Sequence, residues 1–148
     1  MGKQDLKSGE ILEAENLHRS GNLAKAETIY RKVLQDNPEH SEVLRLLGLL
    51  VHQTGNSEQG MNLILQAIKA QPENVEAHFD LGIIKLDQNL AEDAINAFRV
   101  ALSISPKNYS CLVNLGNALV IAGHFTEAIK QSNLALEIDP DSVEALSN

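Results

Sequence analysis

All four prolines of this 148-residue chain, Pro38, Pro72, Pro106 and Pro140, follow one another at intervals of 34 residues. Proline ends or kinks a helix because it has no backbone N–H and its ring clashes with the preceding turn. A domain folded around one core has no reason to space its helix breakers evenly, whereas a fixed period of this length indicates a repeat architecture. We therefore expect repeated helical units, and a function that lies on a surface rather than in a catalytic pocket.

Other residue types recur with the same period and show what each unit contains. Three columns of small residues permit close helix packing: Ala14, Gly48, Gly82 and Gly116; Ala26, Gly60, Ala94 and Ala128; Val33, Ala67, Ala101 and Ala135. A turn column of Gly21, Gly55, Asn89 and Gly123 tolerates the left-handed conformation that commonly ends a helix. A leucine column holds Leu47, Leu81 and Leu115, and a bulky column holds Tyr30, Ile64 and Phe98, with Ser132 as its exception.

Each unit is predicted to be two amphipathic helices joined by a tight turn, with proline ending the second helix. The predicted pairs are 7–20 with 23–36, 41–54 with 57–70, 75–88 with 91–104, and 109–122 with 125–138. The next unit begins after His40, Asn74, Asn108 or Ser142. Asn and Ser are favoured helix caps, whereas His40 is expected to be a poor one.

These columns resemble the tetratricopeptide repeat, whose 34-residue pattern is W-x2-L-G-x2-Y…A-x3-F…P. The best match is Leu81-Gly82, Ala94, Phe98 and Pro106. The Trp slot instead holds Glu10, Leu44, His78 and Leu112, and the Tyr slot holds Leu17, Val51, Lys85 and Leu119. The resemblance implies an all-α fold, an α-α superhelix. It would form one domain over 1–148, with units 7–40, 41–74, 75–108 and 109–142 and the start of a fifth at 143–148.

The two ends of the predicted array differ. Glu10 and Glu13 occupy slots that are apolar in later units, so the first unit is expected to act as a solubilising cap. After Pro140 a fifth unit begins and stops, so we expect the chain to come from a longer array or multidomain protein. The apolar edge of the last helix, with Ile129, Ala135 and Leu136, would then be partly uncovered and open to self-association.

In the family that the chain resembles, the first helix of each unit lines a concave face that binds an extended peptide or a partner helix. Carried onto this sequence, the candidate peptide-binding face consists of Arg45, Leu49, His52, Phe79, Asp80, Ile83, Val113, Asn114 and Asn117. An apolar stripe with a polar rim is typical of such a groove. The alternative, that these side chains pack against neighbouring first helices, is equally compatible with the sequence.

Two functions known in this family can be compared with those slots. Members that bind chaperone tails hold a C-terminal carboxylate with Lys, Asn and Arg side chains. The corresponding positions of this chain do not supply the cationic side chains for such a site. The arrays of O-linked N-acetylglucosamine transferases carry an Asn before the Leu-Gly pair, which hydrogen-bonds the backbone of an extended substrate. Asn114-Leu115-Gly116 matches that pattern, and the first two units resemble those of bacterial proteins with this architecture.

Composition and motifs exclude several other functions. The net charge of −8 leaves no cluster of Lys and Arg for phosphate neutralisation, so a nucleic-acid partner is not expected. No apolar run is long enough to span a membrane, and no phosphate-binding loop, paired metal ligands or nucleophile with a neighbouring base appears. We predict no catalytic, cofactor or metal site. The lone Cys111 and the absence of a leader favour a soluble, cytoplasmic protein without cofactors.

Two functions remain from the sequence. The first is a scaffold that binds an unidentified protein or peptide, without membrane contact. The second is a substrate-recruiting or oligomerising N-terminal arm of a larger enzyme such as a glycosyltransferase. A helical-hairpin RNA binder, which has a similar period, is disfavoured by the acidic charge.

Overall fold

The computed structural model describes the backbone of residues 3–147 and the side chains of residues 8–147. Over this range every regular element is a helix, and there is no strand. The helices are α1 (Lys3–Arg19), α2 (Leu23–Asp36), α3 (Ser41–Gln53), α4 (Ser57–Ala70), α5 (Val75–Asp87), α6 (Ala91–Ile104), α7 (Tyr109–Ala122), α8 (Phe125–Ile138) and α9 (Val143–Ser147). None of these helices has the length and apolar character needed to cross a membrane.

The ends of the second helices follow from the regular spacing of the prolines. The residue before each proline, Asn37, Gln71, Ser105 or Asp139, has φ between −141° and −128° and ψ between 85° and 94°. Steric clash with the proline ring excludes the helical region for this residue, so each second helix stops one position earlier. The predicted helix bounds are therefore reproduced closely, and only α1 begins several residues before its predicted start.

The first helices begin at capping side chains. Oδ1 of Asn74 accepts from the backbone N–H of Ala77 at 3.0 Å, and Oδ1 of Asn108 accepts from Cys111 at 3.0 Å. At the start of α3, Nδ1 of His40 accepts from the N–H of Val43, in the weak manner expected of a poor cap. That bond is long, at 3.4 Å, so His40 fills the capping position with a weaker contact than asparagine makes.

The turn column has the predicted left-handed backbone. Gly21, Gly55 and Gly123 have φ of 80°, 97° and 82°, and Asn89, the fourth member of the column, also has a positive φ, at 60°. Asparagine tolerates this region better than other residues with a Cβ, because its short side chain bonds locally. The chain can therefore reverse direction within a few residues between the two helices of one repeat.

The chain forms two compact units, which are larger than the 34-residue repeats: Met1–Pro72, called the first unit below, and Glu73–Asn148, called the second unit. In the first unit α2 packs against α1 and α3, and α3 packs against α4. In the second unit α5 packs on α6, α6 on α7, α7 on α8, and α8 on α9. The prediction of one domain over the whole chain stays a prediction.

Small residues allow the paired helices to touch backbone to backbone. A Cβ atom added to Gly60 would lie 2.6 Å from the carbonyl oxygen of Gly48, so α3 and α4 leave no space for a side chain at this crossing. In the second unit a Cβ on Gly82 would lie 2.5 Å from a ring carbon of Phe98. The members of all three small columns are buried, as the spacing predicts.

The bulky column forms the centre of the packing. Tyr30, Ile64 and Phe98 are fully buried, and the exception, Ser132, is also buried. The leucine column is less uniform, since Leu47 and Leu115 are buried but Leu81 is only half-buried.

The exposed edge of α8 differs from the predicted one. Ile129 is 58% exposed, as expected, and Phe125 one turn earlier is 63% exposed. Ala135, however, is fully buried, because it packs with Leu112 and Ala145 of the neighbouring helices α7 and α9. The expectation that Ala135 is uncovered is therefore wrong, since the short α9 already covers that end of α8.

Substituting one glycine tests the close helix contact in the second unit. We expect Gly82→Ala to lower the free energy of unfolding by about 1–3 kcal/mol, because the new methyl group overlaps the buried ring of Phe98. The matched control is Gly9→Ala in α1, where a Cβ meets nothing within 4 Å. There the better helix propensity of alanine should raise stability by about 0.5–1 kcal/mol. Urea denaturation measures both, and a Gly82→Ala protein as stable as wild type would contradict the packing argument.

Candidate functional site

A cleft of about 370 Å³ opens between α1 and α3 in the first unit. Its lining comes from three helices: Glu15, His18 and Arg19 on α1, Tyr30 on α2, and Leu46, Leu49 and Gln53 on α3. The α1 residues share one face because side chains three and four positions apart are neighbours on a helix. The α3 residues repeat at three and four positions and face them in the same way. This cleft is referred to below as the α1–α3 cleft.

The two walls of the α1–α3 cleft differ in chemistry. Leu46 and Leu49 make the α3 wall largely apolar, whereas Glu15 and Arg19 place charged groups on the α1 wall. Nη2 of Arg19 lies 3.7 Å from a carboxylate oxygen of Glu15, and the Arg19 side chain is 73% exposed. A site with one apolar wall and a few polar groups is the usual form of a ligand-binding cleft.

Tyr30, which is one of the lining residues, carries a buried hydroxyl. Its side chain is fully buried, and no hydrogen-bond partner for its hydroxyl lies among the residues that the structure describes. Burial disfavours the phenolate, and the negative charge of Glu15 adds to this, so the pKa of Tyr30 rises to about 12. The hydroxyl is therefore a protonated donor at neutral pH.

Neighbouring side chains hold the mouth of the cleft in place. Nε2 of His18 donates to Oε1 of Gln53 at 3.0 Å, which joins the α1 wall to the α3 wall. The His18 ring also meets the Tyr30 ring in a T-shaped contact, with centroids 6.3 Å apart. The imidazole is thus oriented by two contacts.

Arg45, one of the predicted site residues, is engaged within its own helix. Its Nε and Nη2 donate to the two carboxylate oxygens of Glu42 at 3.0 and 2.6 Å, and the Arg45 side chain is only 14% exposed. The hydrogen bond from Arg45 lowers the pKa of Glu42. A ligand anion would have to compete with Glu42 for this guanidinium.

His52 lies on α3 but outside the lining of the α1–α3 cleft. Its Nδ1 is 3.0 Å from Oγ of Ser57, so the imidazole bridges to the start of α4. Its Cβ also borders Gly60 at the α3–α4 crossing. The structure therefore brings only Leu49, of the three predicted residues in this unit, into the cleft.

The predicted aromatic and aliphatic residues of the second unit pack on its core. The rings of Phe79 and Phe98 are 5.7 Å apart at 50°, and Ile83 packs on the same cluster around Ile95 and Leu115. Both Phe79 and Ile83 remain half-buried. Their contribution to a binding face stays a prediction.

Asp80 is buried, which sequence reasoning did not anticipate. The thiol of Cys111 lies near enough to feel its charge. Burial raises the pKa of Cys111 to about 11, and the negative charges of Glu76 and Asp80 add to the rise. Asp80 is thus part of the interior of the second unit, where it favours a protonated thiol.

The remaining predicted residues lie on α7. Val113 packs beside the cluster of Leu112, Ala135 and Ala145, Nδ2 of Asn114 donates to the carbonyl of Ser110 at 2.9 Å, and Asn117 is exposed. The nine predicted residues are divided between the two compact units, so their union in one continuous face stays a prediction.

Sequence reasoning did not single out Tyr30, which lines the α1–α3 cleft. The bulky column was interpreted as packing, which is correct for the ring but says nothing of the hydroxyl. The available signal was chemical, because Tyr30 is the one member of its column with a phenol. Within the described residues, no group of three or more His, Cys, Asp or Glu side chains is arranged to hold a metal ion.

The burial of Tyr30 predicts a specific loss of stability at high pH. Unfolded tyrosine ionises near pH 10, whereas folded Tyr30 keeps its proton to about pH 12. Below pH 10 both states are protonated and the effect vanishes. Above it the unfolded state loses protons first, so the free energy of unfolding falls, by about 1 kcal/mol at about pH 11.

Urea midpoints of wild type and Tyr30→Phe between pH 8 and 11 measure this loss. Other groups titrate equally in both proteins, so the phenylalanine variant should lose less stability. Parallel curves for the two proteins would show that the hydroxyl of Tyr30 is not held in its neutral form.

Comparisons with known proteins place this fold. A family model described as the tetratricopeptide repeat matches residues 17–81 and 85–147. No significant match is found among curated proteins. The crystal structure of MamA is similar at a TM-score of 0.80 and 21% identity, over 89% of this chain and 77% of that one.

Two further structures are similar to the chain. One is a crystal structure of YrrB, described as a TPR protein with an unusual peptide-binding site, with a TM-score of 0.78 and 16% identity over 98% of this chain and 75% of that one. The other is an O-GlcNAc transferase mutant from Thermobaculum terrenum, with a TM-score of 0.73 and 29% identity over 80% of this chain. The match covers only 23% of the transferase.

The predicted all-α repeat fold is confirmed by these matches. Since the family model covers most of the residues, and the paired helices recur at the spacing of the prolines, the chain belongs to the tetratricopeptide repeat family.

Proposed function

We propose that the chain is a protein-interaction module that binds an extended peptide or a helix of a partner protein. The observation that carries the proposal is the α1–α3 cleft, whose apolar wall of Leu46 and Leu49 faces a hydrogen-bonding wall. Family membership and the likeness to YrrB, whose description names a peptide-binding site, support it.

The chemistry of the cleft suits a peptide. A peptide presents apolar side chains and amide groups along one strand, so it can bury the former and bond the latter at once. Leu49 is half-buried and borders the cleft, which leaves part of its surface for a ligand. The net charge of −8 disfavours a nucleic-acid ligand, because phosphates would meet an acidic surface.

A second candidate function is that of a substrate-recruiting or oligomerising arm of a larger enzyme. The similarity to the O-GlcNAc transferase from Thermobaculum terrenum favours it, because its sequence identity of 29% is the highest of the three structures described above. Asn114, which precedes a Leu-Gly pair, would then be a residue that holds substrate backbone. The gene sequence downstream of the codon for Asn148 distinguishes the two candidates, because a transferase domain there would favour the second.

Self-association remains a further proposal. Phe125 and Ile129 lie one turn apart on α8 and are both mostly exposed. Contiguous apolar surface of this kind favours contact with another protein surface. Sedimentation of wild type and Phe125→Glu over a range of concentrations tests it, and a monomer at every concentration would rule it out.

A pair of matched variants tests peptide binding. Peptides selected on the wild-type protein from a random-peptide phage library should bind Leu49→Asp about tenfold more weakly or worse, because a charge replaces apolar contact in the cleft. Leu65→Asp is the control, since Leu65 is an exposed leucine of α4 in the same unit and lies outside the cleft lining. It should retain wild-type affinity.

Circular dichroism establishes that both variants remain helical. Failure to select any peptide would contradict the proposed function. Equal affinity of the two variants would show that peptides bind elsewhere than the α1–α3 cleft.

A further inference from the structure

A groove of about 360 Å³ lies in the first unit between α2 and α4, the second helices of the first two repeats. Its lining residues are Arg31, Leu34, Gln35, Pro38, Leu44, Leu47, Leu63 and Gln66. This lining and that of the α1–α3 cleft have no residue in common in the part of the chain that the structure describes. The groove is called the α2–α4 groove below.

The walls of the α2–α4 groove are accessible, whereas its floor is closed. Because α3 packs against both α2 and α4, its Leu44 and Leu47 form the floor, and they are only 4% and 1% exposed. Leu34 on α2 and Leu63 on α4 pack against the core of the first unit but are only half-buried. A ligand can therefore reach an apolar strip made of these two wall residues.

Polar side chains border the apolar strip on both walls. Gln35 lies one turn after Arg31 on α2, and Gln66 lies one turn after Leu63 on α4, so each pair shares a helix face. Both glutamines are exposed. Each carboxamide offers one acceptor and a donor group, as a peptide bond does. An extended chain in the groove can therefore bond its backbone to either wall.

Arg31 gives the α2–α4 groove its charge. Among the described residues that line the groove, Arg31 is charged and no carboxylate accompanies it. Its Nε and Nη2 both contact one carboxylate oxygen of Glu27, at 2.8 and 2.7 Å, within α2. The Arg31 side chain is 47% exposed, and exposed pairs of this kind are weak. A ligand carboxylate can therefore join or replace Glu27 at little cost.

The second unit contains the same arginine with a carboxylate across the helices. Arg99 on α6 occupies the position of Arg31 two repeats later. Its Nη2 donates to both carboxylate oxygens of Glu127 on α8, at 2.7 and 2.8 Å. In the first unit the position of Glu127 holds Gln59, whose side-chain oxygen accepts from Asn56 at 3.1 Å. The first unit thus has the arginine of this pair without its carboxylate on the facing helix.

We propose that the α2–α4 groove binds an extended acidic segment of a partner protein, in which an aliphatic side chain and a carboxylate side chain lie two residues apart. Alternate residues of an extended chain face the same side, so both side chains enter the groove. The aliphatic side chain lies between Leu34 and Leu63, and the carboxylate bonds Arg31 as Glu127 bonds Arg99. This surface is separate from the α1–α3 cleft and does not rest on the function proposed for it.

The acidic character of the whole chain does not oppose such a contact. The net charge of −8 is spread over the sequence, and charges beyond about 8 Å are largely screened at physiological salt. At the groove itself the guanidinium of Arg31 is the nearest charge to the ligand. The local charge therefore favours a carboxylate.

NMR with short peptides tests the groove. The probes are acetylated and amidated Ala-Leu-Ala-Glu-Ala and its reverse, because a chain can enter a groove in either direction. Control peptides replace glutamate by glutamine or leucine by alanine. The glutamate peptide should shift the Nε–H signal of Arg31 and the methyl signals of Leu34 and Leu63 saturably, and leave Nε–H of Arg99 unchanged. It should bind about three- to fivefold more tightly than the glutamine peptide, the range of a partly exposed ion pair.

Three variants assign the carboxylate contact. Arg31→Gln should abolish the preference for the glutamate peptide, whereas Arg99→Gln, the matched change in the second unit, should retain it. Gln59→Glu places a carboxylate where Glu127 lies two repeats later, so it should pair with Arg31 and also abolish the preference. Glutamate suits the third position of a helix as well as glutamine does, so this variant keeps the start of α4.

Several results would overturn the proposal. Equal affinity for the glutamate and glutamine peptides would show a groove without a carboxylate site. Equal affinity for the leucine and alanine peptides would show ion pairing without the apolar strip, and no shift at Arg31, Leu34 or Leu63 with any probe would show that the groove binds no such segment. These comparisons are made on wild type, so they stand even where a variant folds poorly.

Leu49→Asp distinguishes the α2–α4 groove from the α1–α3 cleft. Leu49 lines the cleft and lies outside the lining of the groove, so this variant should bind the glutamate peptide with wild-type affinity. A loss of affinity would place the peptide in the cleft and contradict the groove. Failure of the groove leaves the phage-selected peptides and their dependence on Leu49 unaffected.

Discussion

The close approach of two helices within a repeat is the constraint on which the rest of the structure depends. At the α3–α4 crossing, Gly48 and Gly60 bring one backbone against the other with no space for a Cβ. Where helices lie this close, the side chain at the bulky position is enclosed on every side. The same contact that packs the repeat thus buries Ile64 and Phe98, and it buries the phenol of Tyr30 as well.

Burial of that phenol connects the packing of the first unit with the α1–α3 cleft. Tyr30 contributes its ring to the core and is also one of the residues that line the α1–α3 cleft. The helices that form the cleft walls are those that enclose the ring.

Local rules in the sequence predicted most of the fold. Proline excludes the helical region for the residue before it, and a left-handed turn demands Gly or Asn, so helix ends could be placed from single residues. The burial of Asp80 and the half-burial of Leu81 could not be predicted in this way, because each depends on tertiary packing. The capping bond of His40 depended on the orientation of one imidazole.

The candidate site was less predictable for the same reason. The predicted face on α3 was carried over from the resemblance to the repeat family, and one of its residues, Leu49, lines the cleft. Periodicity could not show that Arg45 is bonded to Glu42, nor that His52 bridges to Ser57. Those contacts are decided by side-chain rotamers, and the missing partner of Tyr30 is visible only once every neighbour is placed.

The buried Cys111 has a practical consequence for studies of motion. Its thiol is enclosed in the second unit, and its pKa is raised to about 11, so the reactive thiolate is scarce while the unit stays closed. As the chain has no other cysteine, the rate of alkylation at neutral pH measures the opening of this unit alone. The protein therefore carries its own probe of local unfolding, with no need of an introduced label.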